Sequence, residues 1–552
     1  MRLSTDEPVA AAVDAGITVF DTAHAYGEEP GHNERLLAGA LRRSGADQTA
    51  RIVTKGGMTR PGGAWVPNGR AKVLLGDCEA SLIALDGLPI DLYLIHSPDP
   101  RTPWHTSVRA LARLADERMV RGVGVSNVNR RQLDEALELA PVTAVQVAIS
   151  LDDDRALRGG IVERCEERGI AVIAHSPLGG TRRAGGLARR PELGEVAAAR
   201  GATAAEVALA WLLELSPTVV AIPGARRPET ARSAARAAAL RLEAGDRAIL
   251  ARAVTDARPA PRPQIDPAAE GSEVVLVMGI PGAGKSRVAA EYVDRGYVRL
   301  NRDERGGALR KLAAEVDEAL ASGAGRFVLD NTYLTRAARS YVVEAASRHG
   351  VQTKCIWIDI PLAQAQVNLV ERMLDAFGAL PSPEELRKLA RREPGLLLPT
   401  SQMRALRELE PPSSDEGFAG VERLEFARAR TPGRTVSGVF VAAAALERSG
   451  WESSLEDRAA PHLIFDWRPD GTAAELEPLV SRLASLVPGP VERAVCPHEA
   501  GPPTCWCRPP LPGLPLAFAR AHRIDPGRSV LIGTSSAHRT LARTLGARYV
   551  EV

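Results

Sequence analysis

The chain has 552 residues, too many for one hydrophobic core, and that length sets an expectation of three or four domains. An apolar share of 45% with 25% charged residues excludes a disordered or fibrous chain. A formal net charge of +2 excludes a global field that recruits nucleic acid, so any basic groove must be local.

Arginine far outnumbers lysine, and the only lysines are Lys55, Lys72, Lys285, Lys311, Lys354 and Lys388. A lysine kept at a motif position therefore carries extra weight. Cys78, Cys165 and Cys355 lie among apolar residues, while Cys496, Cys505 and Cys507 cluster near the C-terminus. That is cytosolic usage, not a disulfide framework, and a cytoplasmic location is expected. The first residues, MRLSTDEP, have no apolar signal core. No run reaches the ~18 apolar residues of a membrane span, so no membrane partner is expected.

In chain order, residues 1–255 alternate short β-rich runs with Ala/Leu/Arg helical patterns. The runs fall at 17–20, 52–54, 91–95, 122–125, 144–147, 171–174 and 219–222. Such alternation implies parallel strands with crossover helices. A (β/α)8 barrel needs eight strands and seven are visible. The expectation is a TIM barrel whose first strand is truncated, with an in-frame upstream extension supplying it.

Residues 256–272, rich in Pro and Ala, read as a linker. A second α/β section, 273–410, opens on a Val/Leu strand running into Gly279-Ile280-Pro281-Gly282-Ala283-Gly284-Lys285-Ser286 and then a helix. This is the P-loop pattern GxxxxGK[ST] in its required context. Its backbone N–H groups face phosphates at a helix N-terminus, Lys285 reaches the β/γ-phosphates of ATP, and Ser286 reaches Mg2+. Asp303, in YVRLNRDE, is the candidate base for an acceptor hydroxyl. Asp330-Asn331-Thr332 closes the strand RFVLD, and Arg372 is a candidate lid arginine over the transferring phosphate. A third section, 435–552, holds short strands near 436–441, 463–465 and 530–532. Its Cys496-Pro497-His498 and Cys505-Trp506-Cys507 give C-x-H-x6-C-x-C, a set suited to tetrahedral Zn2+.

In the first section, four residues follow successive strand ends: Asp21 and Tyr26 in FDTAHAYG, Lys55 in IVTKGG, and His96 in LYLIHSPD. In a parallel barrel the strand C-termini converge on one face. A cation beside a phenol favours loss of its proton, a carboxylate holds the lysine, and a histidine orients a carbonyl. These words, with GVSNV, VQVAIS and VIAHSPLGG, resemble the aldo-keto reductases over residues 1–255. The resemblance implies reduction of a small-molecule carbonyl substrate, with Tyr26 as proton donor, Lys55 and Asp21 tuning it, and His96 orienting substrate. It also implies NADPH, with Ser126, Asn127 and Gln146 at the nicotinamide amide. Ser176, Pro177 and Leu178 would lie along the cofactor, with Gly224, Arg226 and Arg227 in its phosphate loop. The family's Glu-Asn pair near the adenine is replaced here by Ser233-Ala234.

GIPGAGKS, GYVRLNRDE, RFVLDNTYL and IPLAQAQVNLVERM resemble the kinase domain of polynucleotide kinases, a three-layer P-loop NTPase fold. That resemblance implies 5′-hydroxyl nucleic-acid ends as acceptor partners and Asp303 as general base. A small-molecule kinase would carry the same P-loop, so the acceptor stays open. CPH…CWCRPPLPGL and VLIGTSSAHRTLARTLGARYV resemble haloacid-dehalogenase-like (HAD-like) phosphatases with a zinc loop. The acids that chemistry needs are absent: alanines stand at 442–445, CRPPLPG has no lysine, Thr534 replaces a metal-binding aspartate, and Asp466 is in the wrong context. The expectation is a folded, inactive third domain. The multidomain α/β chain then reads as a bifunctional enzyme or, alternatively, as a binding protein responsive to NADPH and ATP.

Overall fold

The computed structural model describes residues 6–180, 183–253, 271–323, 325–390, 393, 395–425, 433–455, 457–501 and 503–552. The expected linker lies outside the described residues except for its last two. The chain divides into two compact units, residues 1–263 with Thr335–Ser340, and the remainder.

In the first unit, β1 (Val19–Asp21), β2 (Arg51–Gly56), β5 (Leu92–Ile95), β6 (Val123–Ser126), β7 (Val142–Ala148), β8 (Ala171–His175) and β9 (Val219–Ile222) form one parallel sheet in chain order. A short antiparallel hairpin, β3 (Met58–Thr59) with β4 (Val66–Pro67), follows β2. The strands are nearly continuous apolar runs because both faces are covered. Alternate residues Val53, Leu94, Ala144 and Ile173 meet inside the curled sheet. Ile52, Tyr93, Val145 and Val172 turn outward into the helical layer. Among the described residues β1 pairs only with β2, and β9 only with β8. Val19 and Val220 stand about half exposed on these edges. A cavity of about 280 Å³ opens there, lined by Phe20, Leu209, Ala221 and Ala234 among others. The outer layer closes where the strands do not, since helix Glu7–Asp14 packs against helix Pro228–Ala239.

The second unit holds two five-stranded parallel sheets. The first has the order β11 (Val298–Leu300), β12 (Arg326–Asp330), β10 (Glu273–Met278), β13 (Thr353–Asp359), β14 (Gly420–Glu425). The second has the order β17 (Val491–Cys496), β16 (His462–Trp467), β15 (Val439–Ala442), β18 (Val530–Gly533), β19 (Arg548–Glu551). Strand β14 carries the sheet beyond the expected end at residue 410. Its sequence GVERLE is an exposed, charged edge with no apolar alternation to announce it. The two sheets share a core, because helix Leu362–Phe377 buries Val367, Leu369, Val370, Met373 and Leu374 against Phe440, Phe465, Leu516 and Leu541. No single helix among the described residues is long and apolar enough to cross a membrane.

Candidate functional sites

In the barrel, the ends of β1 and β2 bring Asp21 and Lys55 together. The buried Lys55 ammonium donates to both Asp21 carboxylate oxygens, at 2.7 and 2.8 Å, and to the Thr22 carbonyl at 2.7 Å. Gln146 of β7 donates to Asp21 Oδ2 at 2.8 Å. Behind this pair, helix His32–Arg43 holds both strands: Thr22 donates to Asn33 and Thr54 donates to Glu34.

Tyr26 sits just beyond β1, its ring centre 5.3 Å from the Lys55 ammonium. His96 follows β5 and meets the Tyr26 ring edge-on at 5.6 Å. The His96 imidazole is held neutral: burial, then the nearby Lys55 charge, push its pKa down to about 3. Its Nδ1 is buried without a hydrogen-bond partner. Asn127 adopts a left-handed conformation (φ +57°) and joins three neighbours. Its amide donates to the His96 carbonyl (3.0 Å) and to Ser126 Oγ (3.1 Å), and its Oδ1 lies 2.9 Å from His175 Nε2. Ser176, also left-handed at φ +52°, begins the turn after β8 that carries Pro177 and Leu178. Gly224, Arg226 and Arg227 follow β9 at the start of helix Pro228–Ala239, all three exposed.

Two residues in this site were missed by sequence reasoning. His175 ends β8 in a His-Ser-Pro that repeats the His96-Ser97-Pro98 after β5, and that repeat was the available signal. Trp65, from the β3–β4 hairpin, lies 6.0 Å from the Tyr26 ring and 5.7 Å from His96, with the Arg60 guanidinium stacked on it. No local pattern links that hairpin to the strand ends.

In the P-loop, Gly279 (φ +152°) and Gly282 (φ +86°) permit backbone that a side chain would strain, and a Cβ on Gly282 would lie 2.4 Å from the Ala365 carbonyl. Lys285 folds back to the carbonyls of Gly279 and Ile280, at 3.0 and 3.1 Å. Burial lowers its pKa to about 8, against the opposing charges of Asp330 and Asp303. Arg372, on helix Leu362–Phe377, lowers the Lys285 pKa further through its charge. Gly395 packs against the Arg372 guanidinium.

Asp303 sits half-exposed on the short helix Arg302–Arg305. Asp330 is buried at the end of β12, directly beside the P-loop strand. It accepts from Arg299 at 2.9 and 2.6 Å and from Asn301 at 3.0 Å. Arg299 also reaches Ser286 Oγ at 3.3 Å, a contact not foreseen from sequence.

The thiol cluster is compact. Cys496 Sγ lies 3.6 Å from Cys505 Sγ, 3.3 Å from Cys507 Sγ and 3.4 Å from His498 Nδ1, and Cys507 Sγ is 3.2 Å from that nitrogen. A tetrahedron with Zn–S bonds of about 2.3 Å has edges of about 3.8 Å, so the donor set fits such an ion with small adjustment. Hydrogen bonding with Cys496 and then Cys507 lowers the pKa of the Cys505 thiol. At the C-terminal end of the same sheet, Ala442, Ala443 and Ala445 are buried, and Asp466 accepts from Arg468 at 2.7 Å.

These features define an α/β oxidoreductase barrel joined to a P-loop domain. Residues 4–254 match the aldo/keto reductase family, and residues 274–392 match an AAA domain. An uncharacterized oxidoreductase of Schizosaccharomyces pombe is 32% identical over 232 residues, 42% of this chain and 72% of that protein. Among solved structures, an aldo/keto reductase from Klebsiella pneumoniae in complex with NADP and acetate is 28% identical, covering 47% of this chain and 88% of that one at a TM-score of 0.40. A glycerol dehydrogenase from Gluconobacter oxydans is 27% identical, covering 48% and 88% at a TM-score of 0.40. The chain belongs to the aldo/keto reductase family.

Proposed function

We propose that the chain is a bifunctional cytoplasmic enzyme. The barrel reduces an aldehyde or ketone with NADPH, and the P-loop domain transfers the γ-phosphoryl group of Mg2+-ATP to a hydroxyl. The observation that carries the first half is the buried Asp21–Lys55 pair beneath Tyr26, with a neutral His96 touching the same ring.

NADPH, when bound, supplies the hydride that goes to the carbonyl carbon. Ser126, Asn127 and Gln146 offer donors and acceptors at adjoining strand ends for its carboxamide. Arg226 and Arg227 present exposed guanidinium groups for a 2′-phosphate. Neutral His96 donates a hydrogen bond to the substrate oxygen and orients it. Tyr26 gives its proton to that oxygen, and the Lys55 charge steadies the phenolate left behind. Asp21, holding Lys55 and held by Gln146, keeps the ammonium in place.

In the second site the P-loop N–H groups would hold the phosphates of ATP. Lys285 would swing from its two backbone carbonyls to the β/γ oxygens, and Ser286 and Asp330 would face Mg2+ with the Arg299 guanidinium displaced from them. Asp303 is the proposed base for the acceptor hydroxyl, and Arg372 the lid cation. A 5′-hydroxyl nucleic-acid end is the favoured acceptor and a small alcohol the alternative. The third section is proposed as a HAD-like domain, stapled by Zn2+ on Cys496, His498, Cys505 and Cys507, without phosphatase chemistry. The alanines that end its central strand, Ala442 with Ala443 and Ala445, favour a second reading of the whole chain, a nucleotide-responsive binding protein.

Two assays separate these readings. Oxidation of NADPH with a panel of aldehydes tests the barrel. Transfer of ATP γ-phosphate to 5′-hydroxyl oligonucleotides, set against small alcohols, tests the P-loop domain. Silence in both assays would favour the binding protein.

A further inference from the structure

The third section does more than pack beside the P-loop domain; it reaches the P-loop through a short covalent and hydrogen-bonded path. To hold phosphate, a P-loop turns its N–H groups inward, so its carbonyls point outward and need donors of their own. Two side chains provide them. Asn368 donates to the Gly282 carbonyl at 2.8 Å, and Gln402 donates to the Pro281 carbonyl at 2.9 Å. Gln402 is fully buried on helix Pro399–Glu408. Just before that helix, the Leu397 carbonyl accepts from the indole N–H of Trp506 at 2.8 Å. Trp506 lies between Cys505 and Cys507, two donors of the thiol cluster, and is buried in the core that also holds Val370 and Leu374. The section grips the Asn368 helix as well, through Arg520–Asp375, and Arg434, the residue just before the section, pairs with Glu371 at 2.6 and 2.7 Å.

We infer that metal loading of the Cys496–His498–Cys505–Cys507 cluster sets the nucleotide affinity of the P-loop, through Trp506, Leu397 and Gln402. With the four donors drawn onto one ion, the residue between Cys505 and Cys507 has one position, and its indole fixes the start of the Gln402 helix. Without the ion the loop gains alternatives, Gln402 loses its register, and the Pro281 carbonyl loses its donor. The phosphate cradle is then populated for only part of the time, and apparent affinity falls by that fraction. The inference rests on the readings of the cluster as a metal site and of the P-loop as an ATP site. It gives the third section a role that needs none of the acids it lacks.

The test uses the full chain, loaded with Zn2+ or stripped by chelation, with metal content measured directly and ATP affinity measured by calorimetry. Stripping the metal should weaken ATP binding by about tenfold, within the usual range of coupling between sites. NADPH binding to the barrel should stay unchanged. Trp506→Phe keeps the packing and removes the donor. It should weaken ATP binding several-fold in loaded protein and add little in stripped protein, because both changes cut one path. Should that variant fail to fold, Gln402→Met, at the other end of the path, carries the same expectation. Equal ATP affinity in loaded and verified metal-free protein overturns the inference, as does full additivity of Trp506→Phe with stripping. Zero metal content under all conditions overturns it through the metal reading, and no ATP binding by loaded protein overturns it through the P-loop reading.

Discussion

The C-terminal end of the barrel sheet and that of the third sheet are built alike and filled differently. Both are parallel strands under helices, with the strand ends gathered on one side. In the barrel those ends carry Asp21, Lys55, His96, Ser126, Gln146 and His175, joined by hydrogen bonds or ring contacts into one network. In the third sheet the central strand ends in Ala442, followed by buried Ala443 and Ala445, and its neighbour β18 runs into Thr534. That sheet stands without polar residues at its central strand end because the core beneath is apolar and does not use them. Chemistry therefore has to be argued from the side chains at the strand ends and not from the sheet that presents them.

The largest expected effects divide the chain by site. Tyr26→Phe should cut carbonyl reduction by about 10³-fold while leaving NADPH bound, since only the proton donor is lost. Lys285→Ala should cut phosphoryl transfer by about 10²–10³-fold, since a charge aimed at the transferring group is removed. Steady-state assays of both activities on both variants check this. Each substitution should leave the other activity at the parent rate, and loss of both would mean that the sites are not independent.

Next in size is the effect of adding an acid at the end of the third sheet's central strand. Ala442 is buried at the end of the central strand. Ala442→Asp should not create a phosphatase, because this section has no lysine and Asp466, at the end of the neighbouring strand, is held by Arg468. It should destabilise that part of the chain by about 2–4 kcal/mol, the cost of an unpartnered buried carboxyl group. Differential scanning calorimetry reads the loss. Unchanged melting together with new phosphatase activity would show that the site was only one residue from function.

How much of this was legible in the sequence follows the same divide. The seven barrel strands were visible because their apolar runs alternate with helical periods, and Asp21, Lys55 and His96 were visible because each closes such a run. The P-loop was legible as one contiguous word. Strand β14 was not, because an exposed edge carries no core pattern. Trp65 was not, because it reaches the site from a hairpin by a fold in space. The Arg299–Asp330 pair was hidden for the same reason, since 31 residues separate its members. The path from the thiol cluster to the P-loop spans more than 200 residues, from Pro281 to Trp506, and has no local signature.

The barrel's buried histidines make a smaller and pH-dependent contribution. His96 is depressed to about 3 from 6.5, and His175 is depressed too, each chiefly by burial. An unfolded histidine binds a proton below pH 6.5 that folded His96 refuses until about pH 3. Stability therefore falls as pH falls through that window, by up to roughly 1.4 kcal/mol per pH unit from His96. His24 opposes this: its pKa is raised through Glu34 despite burial, so its contribution is present at low pH and lost as pH rises through the raised value. His96→Gln should make the acid limb of barrel unfolding shallower, measured by denaturant titration from pH 7 to pH 4. An unchanged limb would show that His96 is solvated.

The smallest effect concerns which nicotinamide cofactor the barrel prefers. Arg226 and Arg227 are exposed after β9, at the N-terminal end of helix Pro228–Ala239, where both their own charge and the helix end favour an anion. NADPH and NADH differ only in the 2′-phosphate, so these two residues should act on that difference alone. Solvent weakens such contacts, and both arginines are exposed. Replacing both, Arg226→Gln with Arg227→Gln, should therefore weaken NADPH binding by only about tenfold. NADH binding should not change, and the preference should shrink at high salt in the parent but not in the variant. Fluorescence titration with both cofactors at two ionic strengths reads all three numbers. Equal affinity of the parent for NADPH and NADH would remove these arginines from cofactor recognition, while the Asp21–Lys55–Tyr26–His96 arrangement would stand, since it makes no use of the 2′-phosphate.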